Sequence, residues 1–188
     1  MAEKAGADAL GLVFYPHSSR AVELDQALAL ARVVGPFTTL VGLFVDAGKA
    51  DIKRALNRVP LQLLQFHGQE PADACEGFGL PYIKAIRMRP ELDLKAAMAA
   101  HPRAAGFLLD AYRKGQPGGT GETFDWARVP RESEKPIILA GGLTPDNVAA
   151  ALRTIQPYAL DVSGGVESAP GRKDPSKVQQ FIDNARHC

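Results

Sequence analysis

Three features of this 188-residue chain predict an α/β fold whose parallel sheet closes as a TIM-type (β/α)8 barrel. Short, near-continuous apolar runs recur along its length, the pattern of strands covered on both faces. Between them lie segments with apolar residues at i, i+3, i+4 and i+7, the stripe of helices that pack on a sheet. The last two runs each break into a glycine-rich turn, Ile137-Ile138-Leu139-Ala140 into Gly141-Gly142 and Tyr158-Ala159-Leu160-Asp161-Val162 into Ser163-Gly164-Gly165. Turns of this kind after the last two strands favour a barrel over an open doubly wound sheet, because a barrel's phosphate site commonly lies there.

The elements follow in order. Met1 to Asp8 reads as the last turn of a helix closing at Gly6, where a residue without Cβ suits the left-handed C′ position. Ala9 to Phe14 is a strand, and Leu24, Ala27, Leu28 and Ala31 make a helical stripe. Phe37 to Val45 is β-rich, and Ile52, Ala55, Leu56 and Val59 form the next helix. Leu61 to Phe66 is a strand followed by a short helix over Pro71 to Phe78, and Tyr82 to Ile86 is a strand followed by a helix from Glu91 to Ala100. Ala104 to Leu109 ends in Asp110 and opens into a polar, glycine-rich stretch over 111–123, long enough to act as an active-site loop. Thr144-Pro145-Asp146 predicts a capped helix with Val148, Ala151, Leu152 and Ile155 inward, and Asp174-Pro175 starts the last one.

The count is seven strands, one short of a barrel, and the chain opens at the end of a helix. The expectation is one barrel domain over 1–188 whose first βα unit is missing.

Hydrophobic residues make up 46% of the chain and charged residues 23%, values of a globular domain with a substantial core. The net charge is +1 with Lys and Arg scattered, which excludes the basic footprint of a nucleic-acid binder. Cys75 and Cys188 have no metal-site or disulfide spacing, and no metal site is assigned. No apolar run approaches the roughly 20 residues that span a bilayer. The protein is therefore expected in a reducing cytoplasm, off the membrane, as a monomer or homodimer acting on a small phosphorylated molecule.

In a barrel, function sits at the carboxyl ends of the strands. Arg20, Gln65, His67, Asp110, Gly141, Gly142, Asp161, Ser163, Gly164 and Gly165 all fall there. Glycine turns let an oxyanion approach backbone N–H groups, so the pair reads as one phosphate cradle. Asp110 is either a cap or anchoring charge, or a general acid whose pKa is raised at the mouth of an apolar barrel. Arg20 is a solvated loop charge or a planar fork for a carboxylate. His67 is a rim residue, either structural or part of the site.

Six motifs in order, Gly11-Leu12-Val13-Phe14-Tyr15-Pro16 with Ser18-Ser19-Arg20, Leu64-Gln65-Phe66-His67-Gly68, Leu109-Asp110, Gly118-Gly119-Thr120-Gly121 with Phe124-Asp125-Trp126, Leu139-Ala140-Gly141-Gly142-Leu143, and Asp161-Val162-Ser163-Gly164-Gly165-Val166-Glu167, resemble the phosphoribosylanthranilate isomerases of tryptophan biosynthesis. The resemblance implies a barrel that converts N-(5′-phosphoribosyl)anthranilate to 1-(2-carboxyphenylamino)-1-deoxyribulose 5-phosphate by an Amadori rearrangement, without a cofactor. By the same resemblance Asp110 is the general acid and Arg20 holds the anthranilate carboxylate. Gly141, Gly142, Ser163, Gly164 and Gly165 hold phosphate, and Asp161 helps to hold the opened sugar.

One motif of the family has no counterpart. Its general base is a cysteine in a Lys-Ile-Cys-Gly-Ile-Thr strand, and neither Cys75 nor Cys188 matches it by motif or expected position. Three explanations follow. The natural protein is longer, which is favoured; or the strand is replaced, as by dimerisation, leaving a non-catalytic or weakly active sugar-phosphate binder; or the chain is another sugar-phosphate barrel enzyme, against which Arg20 and Asp110 argue.

Overall fold

The computed structural model describes residues 1–111 and 124–187; of the loop expected over 111–123, Ala111 ends a strand, and residues 112–123, with Gly118-Gly119-Thr120-Gly121, lie outside the described residues, as does the terminal Cys188. The chain enters on one helical turn, α1 (Ala2–Ala5), ended by Gly6 at φ 104°. A side chain is strained in that left-handed conformation, so glycine stops the helix as expected. Strands and helices then alternate: β1 (Ala9–Val13), α2 (Leu24–Ala31), β2 (Thr39–Phe44), α3 (Lys49–Arg58), β3 (Leu63–Phe66), β4 (Tyr82–Met88), α4 (Leu94–Ala99), β5 (Gly106–Ala111), β6 (Ile137–Leu139), α5 (Val148–Ile155) and β7 (Ala159–Leu160). A short antiparallel hairpin, β8 (Glu167–Ala169) and β9 (Arg172–Lys173), precedes α6 (Pro175–Arg186).

All seven main strands are parallel and lie side by side in chain order, β1 to β7. Leu12, Leu40, Phe44, Leu64, Phe66, Ile86, Phe107, Leu109 and Leu139 face the helices and make the large core with Ala27, Ile52, Ala55, Val148 and Phe181. The alternate positions form the inner face, where Ala85, Leu108 and Ala140 cluster with Ile83 and Ile138. This period of two carries Gln65, Arg87, Asp110 and Asp161 to the inner side at the strands' carboxyl ends. Among the described residues β1 and β7 have no ladder with each other. The helical layer does meet there, since α1 packs on α6 and Arg186 Nη2 donates to the Gly6 carbonyl at 2.8 Å.

Three expected helices differ. α4 starts at Leu94 rather than Glu91, where the Asp93 side chain caps it by accepting from Ala96 N–H at 3.0 Å. Only a single 3₁₀ turn, Ala72–Ala74, forms in the segment 71–78, because Gly77 (φ 83°) and Gly79 (φ 75°) turn the backbone left-handed before Pro81 leads into β4. α5 begins at Val148 rather than Pro145. The Asn147 side chain accepts from Thr144 N–H at 2.8 Å and donates to the Gly142 carbonyl at 2.9 Å, folding 144–147 into a turn instead. The Asp174-Pro175 start behaves as expected, with Asp174 Oδ1 accepting from the N–H groups of Ser176 (2.9 Å) and Lys177 (3.1 Å).

Candidate active site

On the inner face Gln65, His67 and Asp110 form a chain of hydrogen bonds. Gln65 Nε2 donates to His67 Nδ1 at 3.1 Å, so Nδ1 is the unprotonated nitrogen and Nε2 carries the hydrogen. That Nε2–H donates to Asp110 Oδ2 at 3.1 Å. The order follows from topology: β3 and β5 flank β4, and the inner positions of all three rise together. Gln65 is buried and His67 and Asp110 are nearly so, with side-chain exposures of 17% and 14%.

Asp161 stands beyond β6 from Asp110. Asp161 N–H donates to the Leu139 carbonyl (2.8 Å) and Ala140 N–H to the Leu109 carbonyl (2.9 Å), so the small, buried Ala140 occupies the inner position between the two acids. Asp161, just past β7, keeps an exposed surface while protein crowds the rest of its carboxyl group. That crowding first, then the nearby Asp110 carboxylate, raises its pKa, and the Lys173 ammonium offsets part of the rise.

The two glycine turns are in direct contact. Gly141 (φ 78°) and Gly142 (φ 70°) are both left-handed. A Cβ at Gly141 would stand 2.8 Å from Asp110 Oδ1 and strike the Ala111 N–H, so this glycine also makes room for the acid. Gly165 lies in the 3₁₀ turn Gly164–Val166, and a Cβ there would overlap the Leu143 carbonyl of the first turn. Among the described residues, the amides of Gly141, Gly142, Ser163, Gly164 and Gly165 donate to no turn, loop or cap carbonyl, as a backbone anion cradle requires.

Arg20 is not a free fork. Its Nε and Nη2 donate to Glu167 Oε1 and Oε2, both at 2.7 Å, which leaves the Nη1 edge for another acceptor. Lys173 joins them, donating to Glu167 Oε1 (3.1 Å), the Ser163 carbonyl (2.8 Å) and Ser163 Oγ (3.3 Å). Burial alone would lift the Glu167 pKa; the hydrogen bonds from Arg20 and Lys173 outweigh it and hold the carboxyl below its usual range. The Glu167 hydrogen bond raises the Arg20 pKa against the opposing effect of burial. Glu167 and Lys173 were missed as site residues. The signal available was the Pro170-Gly171 pair, a turn dipeptide that folds β8 and β9 back so that Gly171 (φ 80°) packs against the Ser19 carbonyl, beside Arg20.

Carboxyl groups, an imidazole and anion-ready turns gathered at the carboxyl ends of parallel strands define a barrel-type enzyme of small anionic molecules. The comparisons narrow this. Residues 1–184 match the family model for N-(5′-phosphoribosyl)anthranilate (PRA) isomerase. An N-(5′-phosphoribosyl)anthranilate isomerase of Cellvibrio japonicus is 61% identical over 178 residues, 95% of this chain and 83% of that protein. One from Pseudomonas fluorescens is 58% identical over 182 residues, 97% and 87% respectively. The crystal structure of the phosphoribosyl anthranilate isomerase of Thermotoga maritima superposes with TM-score 0.91 at 35% identity, covering 100% of this chain and 92% of that one. A further isomerase structure, in complex with reduced 1-(o-carboxyphenylamino)-1-deoxyribulose 5-phosphate, superposes with TM-score 0.87 at 34% identity, covering 100% and 91%. The chain belongs to the phosphoribosylanthranilate isomerase family of tryptophan biosynthesis.

Proposed function

We propose that the inner rim isomerises N-(5′-phosphoribosyl)anthranilate, with Asp110 as the acid that opens the ribose ring. The observation that carries this reading is the Asp110–His67 hydrogen bond on the inner face, beside the paired glycine turns. Asp110 gives its proton to the ring oxygen as the C1′–oxygen bond breaks and the anilino nitrogen's lone pair forms the C1′=N bond of a protonated Schiff base; removal of the C2′ proton, which completes the rearrangement, is assigned to none of the described residues. His67 Nε2–H then stabilises the carboxylate left behind, and Gln65 fixes the tautomer that makes this possible. Asp161, across the small Ala140 from Asp110, supports the opened sugar.

The phosphate is assigned to the turns of Gly141, Gly142, Ser163, Gly164 and Gly165, with the Lys173 ammonium beside Ser163 as a counter-charge. The anthranilate carboxylate is assigned to the outer edge of Arg20, held in place by Glu167. Cys75 takes no part: it is buried, and burial followed by the Glu70 charge pushes its thiol up to about 12. The ligand is a small molecule, and a cytoplasmic location rests on the family's biosynthetic role. Among the described residues no helix is long and apolar enough to cross a membrane.

Decay of the substrate's anthranilate fluorescence tests the assignment. Asp110→Asn is expected to lower kcat by about 10²–10⁴-fold while the reduced product analogue still binds. An Asp110→Asn protein of full activity, or wild-type protein that binds the analogue without turnover, overturns it.

A further inference from the structure

Lys84 is on the wrong face for a lysine. It stands on β4 between Tyr82 and Ile86, both of which face the helices, and its side chain is 7% exposed. Its partner Glu70, in the loop after β3, is 4% exposed, with Lys84 Nζ 2.9 Å from Glu70 Oε2. Removing two charges from water into an apolar layer is unfavourable unless every polar atom finds a partner. Here they do. Lys84 Nζ also donates to the carbonyls of Gly68 (2.8 Å) and Phe66 (3.3 Å). Glu70 Oε1 accepts from Asp46 N–H at 2.7 Å, and Gly68 N–H lies 3.1 Å from Oε1 and 2.9 Å from Oε2.

These partners share one location. Phe66 and Gly68 are the residues on either side of His67, so the ion pair grips the backbone both before and after the imidazole. The third anchor, Asp46, is held at φ 49°, and its Oδ1 accepts from Gln69 N–H at 2.6 Å, tying the loop after β2 to the same turn. Gly68 has no room for a side chain there, since a Cβ would strike the Asp46 carboxylate. His67 itself donates its N–H to the Phe44 carbonyl at 2.8 Å. The imidazole's reach to Asp110 is set by a loop whose carbonyls converge on one buried ammonium.

We infer that Lys84 and Glu70 are positioning residues for the isomerisation: their buried ion pair, on the far side of the sheet from the substrate, holds His67 at hydrogen-bonding distance from Asp110. The kinetic part rests on the proposed role of Asp110; the geometric part does not. A group displaced by about 1 Å costs roughly 10²-fold in rate, so loss of the clamp is read in kcat. The phosphate and carboxylate sites lie on other loops, so KM stays within about threefold of wild type if only the transition state is affected.

The test has two readouts on Lys84→Met and on the paired variant Lys84→Met/Glu70→Leu, which leaves no charge unpartnered if the single change fails to fold. The first is the ¹⁵N spectrum of the His67 ring, which reports its tautomer without any turnover. The expected result is loss of the single Nε2–H form, and an unchanged His67 spectrum overturns the inference whatever the activity. The second is a double-mutant cycle with His67→Ala. The expected result is a kcat loss of about 10²-fold from the clamp variant in the wild-type background and none beyond that of His67→Ala alone. Equal losses in both backgrounds show a structural role only and overturn it. A shifted His67 spectrum combined with Asp110→Asn at full activity leaves the clamp standing and removes the acid assignment instead.

Discussion

The junction between β4 and β5 and the seam between β7 and β1 are held by different forces. Six backbone pairs, Ile83–Gly106 to Met88–Ala111, lock the first. Across the second there is no ladder among the described residues. Its ties are the Arg20–Glu167 fork, Gly171 packed on the Ser19 carbonyl, and α1 against α6 with Arg186 on Gly6. Backbone ladders respond weakly to pH and salt, whereas a partly exposed ion pair responds to both. Asp110, the proposed acid, stands on the laddered junction, and Arg20, the proposed carboxylate-binding group, on the seam. In that proposal the group that needs fixed geometry is on the rigid side, and the group that receives a ligand is on the side tied by side chains.

Breaking the laddered side gives the largest effects. Phe107→Ala empties a buried site under β5 and is expected to cost about 3–5 kcal/mol by chemical denaturation, a large share of a domain's stability. Glu167→Gln breaks the seam and is smaller, about 2 kcal/mol for a charge-assisted pair, with a rise in KM as Arg20 loses its brace. Its pH dependence has a definite sign. The Glu167 pKa is depressed on folding, so its contribution is fully present above the unfolded value of about 4.3 and is lost as pH falls through the folded value. Thermal unfolding of wild type and Glu167→Gln should therefore converge in acid.

Asp161→Asn is the smallest change and has the opposite sign. A carboxyl whose pKa is raised on folding favours the folded state least when ionised, so the penalty appears as pH rises above about 4. The variant is expected to melt higher than wild type at neutral pH and equally at pH 3. A lower melting point at neutral pH would show that Asp161 is held by contacts its charge makes.

The laddered half was legible in the sequence because its signals are local. Apolar runs such as Phe107-Leu108-Leu109 mark strands, Gly6 marks a helix end, and a polar residue closing such a run, as Asp110 does, marks the barrel mouth. The seam was not legible, because its ties join residues far apart in the chain: Arg20 meets Glu167 across 147 positions. β8 and β9 are two short, polar segments with no apolar alternation, and they emerge only when a proline-glycine turn lets them pair. Lys84 was hidden for a different reason. A lysine in an apolar run reads as a solvated or inner-facing charge, and nothing local shows that Glu70 will meet it behind the sheet. The helix expected from 145 forms but starts later, at Val148, since the Asn147 side chain bonds the turn before it.

The central claim, that the laddered half performs the proton transfer and the seam grips the anion, is tested most directly by kcat and KM measured side by side for Asp110→Asn and Arg20→Ala. Asp110→Asn is expected to lower kcat by about 10²–10⁴-fold with KM little changed. Arg20→Ala is expected to act mainly on KM, raising it by roughly 10-fold or more, the loss of one charge-assisted contact. A large fall in kcat with unchanged KM for Arg20→Ala, together with a pure KM effect for Asp110→Asn, would contradict it.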